Sequence, residues 1–142
     1  MVGVSELFSV DVEQFMKALQ ALYFRVGNLM ANIENGTYRN IDILYELDSL
    51  STLVNELRRL NTLIIMKAER YRPNNIALRS LLKQISGYIN RLGTIFWMTK
   101  NFYQKDPNYG INGLYESLYT IRQIIEEIND QLKIAIEKRL FI

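Results

Sequence analysis

The chain has 142 residues, of which 49% are hydrophobic and 23% are charged, a length and balance typical of one globular domain. It contains no cysteine, which excludes disulfides, thiolate metal sites and a thiol nucleophile. It also contains no histidine, which is the commonest general base and transition-metal ligand. This composition argues against most enzyme classes, and we expect a protein that is not an enzyme and uses no cofactor.

The first predicted helix spans about residues 11–35 and follows a short N-terminal arm, residues 1–10. Asp11 is the expected N-cap, and glycine at Asn35-Gly36 suits the left-handed conformation that ends a helix. One face carries apolar residues at spacings of three and four: Phe15, Leu19, Leu22, Val26, Leu29 and Ile33. Apolar residues of the arm are expected to cover neighbouring helix ends, folded back or on a partner subunit: Val2, Val4, Leu7, Phe8 and Val10.

The second and third predicted helices span about residues 40–71 and 75–104. Asn40 is the expected cap of the second helix, and Pro73 ends it because proline cannot continue helical hydrogen bonding. The apolar stripe of the second helix contains Ile43, Leu47, Leu50, Val54, Leu57 and Ile64. The third helix alternates steps of four and three through Leu78, Leu82, Ile85, Ile89, Leu92, Phe96, Thr99 and Tyr103. Such spacing is helical and cannot come from a strand.

The fourth predicted helix spans about residues 112–140 and is expected to begin after the turn residues 106–110, with Asn112 as its cap. Its stripe contains Leu114, Leu118, Ile121, Ile125, Ile128, Leu132 and Ala135. Four amphipathic helices with short connections predict an all-α, antiparallel, up-down-up-down four-helix bundle. The N-terminus resembles no secretory signal, and the longest apolar runs are far shorter than the roughly 20 residues of a membrane span.

Charge is unevenly distributed along the chain. The net charge is −5 over residues 1–56, +9 over residues 57–105 and −2 over residues 106–142. The basic middle segment indicates an electrostatic footprint for nucleic acid or another acidic partner, centred on one bundle end at Lys67, Arg70, Arg72 and Arg79. Alternatively, acidic helices of the same bundle neutralise it, with Arg58 and Arg59 level with Asp11 and Glu13, Arg91 with Glu126 or Glu127, and Lys100 with Glu116.

Candidates for chemistry are few. Glu127 and Asp130 share a helical turn and form half of a magnesium-binding pattern, but a solvated face is the commoner explanation. Small residues at Ser86 and Gly93 favour a close helix crossing, within the bundle or against another subunit. The aromatic residues near the end of the third helix (Phe96, Trp97, Phe102, Tyr103 and Tyr109) could stack on bases, although a satellite core is the preferred interpretation. The candidate assembly contacts are Phe8, Trp97, Leu140, Phe141 and Ile142.

Isoleucine, asparagine and tyrosine are abundant and alanine is scarce, a bias typical of AT-rich coding DNA. In this composition and in its bare helical architecture, the chain resembles small structural proteins of archaeal viruses, including four-helix coat-type proteins. The resemblance implies a virion component that self-associates or binds other virion proteins, located in the virion or the host cytoplasm. The alternative is a small helical nucleic-acid-binding subunit of a larger complex that uses the basic 57–105 hairpin.

Overall fold

In a computed structural model, which describes the backbone of residues 1–142 and all side chains except those of residues 40 and 107–109, the chain forms four α-helices. They are α1 (Glu6–Glu34), α2 (Ile43–Tyr71), α3 (Ile76–Lys105) and α4 (Pro107–Glu137). A short 3₁₀ helix, Thr37–Asn40, connects α1 to α2. Each helix packs against its sequence neighbours, and α1 also packs against α4, which closes an up-down-up-down bundle. The predicted fold class is therefore confirmed.

The core is built from the stripes that the spacing predicts. Every predicted stripe residue of α2 and α4 is buried, as are those of α3 from Leu78 to Thr99. The stripes of α1 and α3 fade at their last members, because Ile33 and Tyr103 are only partly buried at the bundle end. Among the described side chains, three polar ones are buried: Asp11, Asn61 and Thr99. The Asn61 amide donates to Ser86 Oγ at 2.8 Å, so that the small serine holds α2 beside α3.

Some helices begin at residues other than those predicted from local capping patterns, because tertiary contacts also determine where a helix begins. Asn75 caps α3 by accepting from the Leu78 backbone N–H, and Gly36 has a φ of 72°, as expected for a glycine that ends a helix. The predicted cap at Asn40 is wrong, because the Asp42 side chain accepts from the Tyr45 N–H; the Asn40 side chain lies outside the described residues. The predicted start of the last helix at Asn112 is also wrong, because α4 begins at Pro107, where the missing N–H costs nothing.

Half of the predicted arm, residues 6–10, belongs to α1. Asp11 is not a cap, because α1 begins at Glu6 and carries Asp11 as a buried residue inside the helix. Within the former arm, Val4 and Phe8 enter the core and Leu7 is partly buried, whereas Val2 and Val10 are exposed. The arm thus covers this molecule's own bundle end.

The C-terminal residues fold back onto the same end. Arg139 adopts a φ of 59°, which reverses the chain and lets the Leu140 N–H donate to the Ala135 carbonyl at 2.9 Å. The Ser5 N–H then donates to the Phe141 carbonyl at 2.9 Å. The rings of Phe8 and Phe141 meet edge to face with centroids 5.7 Å apart, and both are fully buried. Phe8 and Phe141, which were candidate assembly contacts, are thus buried within one molecule and leave no surface for a partner.

Candidate functional surfaces

The four cations of the predicted acidic-partner site lie on the last turns of α2, on the connection and on the first turn of α3. Lys67, however, is neutralised: its ammonium lies 2.6 Å from Asp11 Oδ2 and donates to the Leu7 carbonyl at 3.2 Å. The ammonium therefore joins α2 to α1, and little of its charge is left for an external ligand.

Two of the remaining three cations bind backbone carbonyls that hold the end of the bundle together. Arg72 Nη1 donates to the Tyr71 carbonyl at 2.9 Å, and its Nε donates to the Ile142 carbonyl at 3.4 Å. Arg79 donates to the Pro73 carbonyl at 3.1 Å. Arg70 lies over the Tyr71 ring at 5.2 Å from its centroid. These contacts support a structural role for most of the cluster.

Neutralisation of the basic hairpin by its neighbours is only partial. Arg59 pairs with Glu56 on its own helix at 2.5 Å, and Lys100 pairs with Asp48 at 2.5 Å in place of the predicted Glu116. Within the described part of the chain, Arg58 and Arg91 form no ion pair, so the predicted pairing of Arg91 with Glu126 or Glu127 is not found. The exposed flanks of α3 therefore keep much of their positive charge.

The outer face shared by α3 and α4, called here the α3–α4 face, combines apolar and charged side chains. A shallow groove of about 320 Å³ runs along it, lined by Ile95, Met98 and Phe102 of α3 and by small α4 residues such as Ser117. Met98 is 42% exposed and Phe102 50%. Arg91 lies one turn from Tyr88, whose hydroxyl donates to Glu127 across the two helices at 3.4 Å. The face therefore places partly exposed apolar side chains between a basic helix and an acidic one.

A second surface, called here the α2–α3 groove, lies on the opposite side of α3 and has a volume of about 560 Å³. Its polar lining includes Asp48, Asn55, Arg58, Asn90 and Lys100, and Trp97 stands at its edge. Trp97 is 68% exposed and therefore does not belong to a satellite core. Of the other predicted assembly contacts, Ile142 is exposed and Leu140 is partly buried against the core.

Prediction from sequence missed Arg58 and Asn55 as members of a site. The signal that could have found them is Gly93, a glycine inside a long helix where alanine would be more stable by about 1 kcal/mol. A Cβ at that position would lie 2.8 Å from Arg58 Nη2, so the glycine makes room for the guanidinium.

Two polar contacts on the α1–α4 side shift ionisation. The Tyr115 hydroxyl donates to the Glu34 carboxylate, and this hydrogen bond is the main reason why the pKa of Tyr115 is raised. Arg122 donates to the Tyr23 hydroxyl at 2.8 Å, and that bond raises the pKa of Arg122 further. On α2, the hydrogen bond from Arg59 lowers the pKa of Glu56. All three contacts tie side chains to one another.

Among the described side chains, no group of three or more acidic residues is placed to hold a metal ion, and Glu127 is engaged by Tyr88. In the part of the chain that the structure describes, no helix has the length and apolar character of a membrane span. Comparisons with protein families, curated proteins and solved structures gave no significant match. Function must therefore be inferred from the two surfaces on either side of α3.

Proposed function

We propose that the protein is a non-enzymatic assembly subunit that self-associates through its α3–α4 face. The observation that carries the proposal is the charge of the two adjacent helices. Residues 76–105 contain five bases and no acid, whereas residues 107–137 contain five acids and two bases. Exposed Met98 and Phe102 lie between them. A second copy can cover this apolar strip while matching both charges.

The matching follows from symmetry. A two-fold axis parallel to the helices places α3 of one copy over α4 of the other, and the reverse contact forms at the same time. Basic α3 then faces acidic α4 twice, with the apolar grooves meeting near the axis. Two helices about 45 Å long, side by side, offer an area comparable to the roughly 800 Å² per partner of a standard interface.

The test is the solution mass of the purified chain, measured by light scattering over a range of concentrations. We expect a dimer or larger species that dissociates as salt is raised, since charge complementarity weakens with screening. Met98→Glu should shift the protein to monomer because it places a carboxylate in the apolar strip. The matched control is Met66→Glu on α2, where the methionine is also exposed and lies away from the face.

A wild-type chain that stays monomeric at high concentration and low salt would refute self-association. Equal loss of the dimer in Met66→Glu and Met98→Glu would show that the α3–α4 face is not the interface. Circular dichroism of both variants separates these outcomes from unfolding.

The setting that we propose is a virus particle, and its support is the composition and the bare helical architecture. Mass spectrometry of purified particles tests the setting separately from the interface. If the chain self-associates but is found only in the host cytoplasm, the proposed assembly function stands and the proposed location in the virion is rejected.

A further inference from the structure

The α2–α3 groove holds an arginine that the bundle does not neutralise. Arg58 donates to Asn55 Oδ1 at 2.9 Å, and within the described part of the chain it forms no ion pair. Its guanidinium reaches across to Gly93, where even a methyl group would come within 2.8 Å of Nη2. A neutral amide and a glycine thus position the cation at the mouth of the groove, with its charge available to an anion.

An exposed aromatic ring lies beside this cation. Trp97 follows Gly93 by one helical turn and precedes Lys100 by another turn, so the indole lies between the Arg58 guanidinium and the ion pair of Lys100 with Asp48. The indole is largely exposed, although tryptophan is usually among the more buried residues. The amides of Asn55 and Asn90 line the space between the helices and can both donate and accept hydrogen bonds.

We propose that the α2–α3 groove binds single-stranded nucleic acid, with one base stacked on Trp97 and a backbone phosphate at Arg58. An aromatic platform beside a cation is a combination by which proteins hold unpaired strands without reading sequence. Asp48 is the acidic member of the groove, and its pairing with Lys100 at 2.5 Å keeps it from opposing the phosphate at Arg58. The site lies on the other side of α3 from the proposed dimer face and does not depend on it.

The chain offers a direct readout, because Trp97 is its only tryptophan. The full-length protein is titrated with oligo(dT) and, separately, oligo(U) of about 12 nucleotides, within the usual range of strand-binding sites. We expect either strand to quench the Trp97 fluorescence, and the tighter of the two identifies the nucleic acid. Fitted affinity should fall as salt rises, because phosphate contacts release counterions.

Three variants locate the site. Arg58→Gln should weaken binding by about fivefold or more and reduce the slope of log K against log salt by about 0.7, as expected for one lost phosphate contact on a single strand. Gly93→Ala should also weaken binding by displacing the guanidinium, while its thermal stability stays equal or rises because alanine favours the helix. Lys138→Gln, with the same charge change on an exposed residue at the far bundle end, should bind like the wild type.

Trp97 itself is tested with labelled oligonucleotide and anisotropy, since the variant lacks the fluorophore. Trp97→Ala should lose most of the affinity, and Trp97→Phe should retain part of it because a ring can still stack. Repeating the titration with Met98→Glu, the variant designed to be monomeric, shows whether binding survives without the dimer.

Several results would overturn the proposal. No quenching by either strand at low salt would remove the site. Equal losses of affinity in Arg58→Gln and Lys138→Gln would show that binding is non-specific electrostatic attraction and not binding at the α2–α3 groove. Equally tight binding of duplex DNA would exclude base stacking on Trp97. Equal quenching by poly-glutamate would assign the groove to an acidic protein partner instead.

Discussion

The contact between Lys67 and Asp11 gives Lys67 a structural role, although the sequence suggested that it binds an acidic partner. Asp11 is only 8% exposed, and a carboxylate so placed needs a counter-charge to offset its desolvation. Lys67 supplies it from α2 while donating to a carbonyl of α1. The basic cluster predicted from the sequence thus includes one charge, that of Lys67, which is neutralised within the fold.

Replacing Lys67 should therefore destabilise the monomer. We expect Lys67→Met to lower the free energy of unfolding by about 2–3 kcal/mol, at or below the low end for buried pairs because the lysine is partly exposed. The double variant Asp11→Leu with Lys67→Met should recover most of that loss, since no uncompensated charge remains. Urea denaturation measures both variants, and a single variant as stable as the wild type would contradict this role.

The hydrogen bond from Tyr115 to Glu34 predicts a pH dependence with a definite sign. The bond favours the neutral phenol and raises the pKa of Tyr115 above its ordinary value of 10.0 in the folded state. Its contribution to stability is therefore fully present below about pH 10 and is lost as pH rises through the higher folded-state pKa. The difference in unfolding free energy between wild type and Tyr115→Phe should be constant to about pH 10 and then shrink. A difference that grows with alkaline pH would contradict the assignment.

At the scale of elements, the two chain ends form one closing unit over the bundle. Val4 and Phe141 make a short parallel bridge, and the Asn75 amide donates to the Leu140 carbonyl at 3.0 Å. The C-terminal segment is thus held by α3 as well as by α1. This arrangement makes Phe141 part of the core.

Truncating the buried ring of this unit should cost more than truncating its exposed neighbour. We expect Phe141→Ala to lower the unfolding free energy by about 3–5 kcal/mol, the range for a large aromatic removed from a core. Ile142→Ala is the matched control and should change it by less than about 0.5 kcal/mol, because Ile142 is exposed. Chemical denaturation provides the comparison, and a small effect of Phe141→Ala would mean that the segment is not docked in solution.

Helix interiors could be predicted from the sequence because burial repeats with the helical period over many turns. The ends could not, because they depend on partners distant in the chain. In the sequence Asp11 resembles a helix cap, and only the fold shows that it pairs with Lys67. The chain reversal at Arg139 could not be predicted because the residue with the positive φ is not a glycine. Likewise, Arg58 becomes a site residue only once α3 brings Gly93 against it.

Across the whole molecule, the charge pattern predicted a basic surface but not its position. Cations near the α2–α3 turn bind loop carbonyls and Asp11, whereas α3 keeps unpaired charge along its length. The reason is that α3 packs between α2 and α4, and Lys100 is the only one of its bases that forms an ion pair among the described residues. The two surfaces available for binding therefore flank this helix.

The proposed two-fold contact makes one prediction that depends on both copies together. Arg91 of one copy should lie over the acidic α4 of the other near Glu127, at the height set by the Tyr88 contact within each bundle. Arg91→Glu should therefore weaken the dimer by about tenfold or more, because like charges directly opposed across an interface are strongly unfavourable. Adding Glu127→Arg reverses both charges and should restore dimerisation, which sedimentation velocity can measure. Failure of the double variant to dimerise, with its helical content intact, would argue for a different orientation of the two copies.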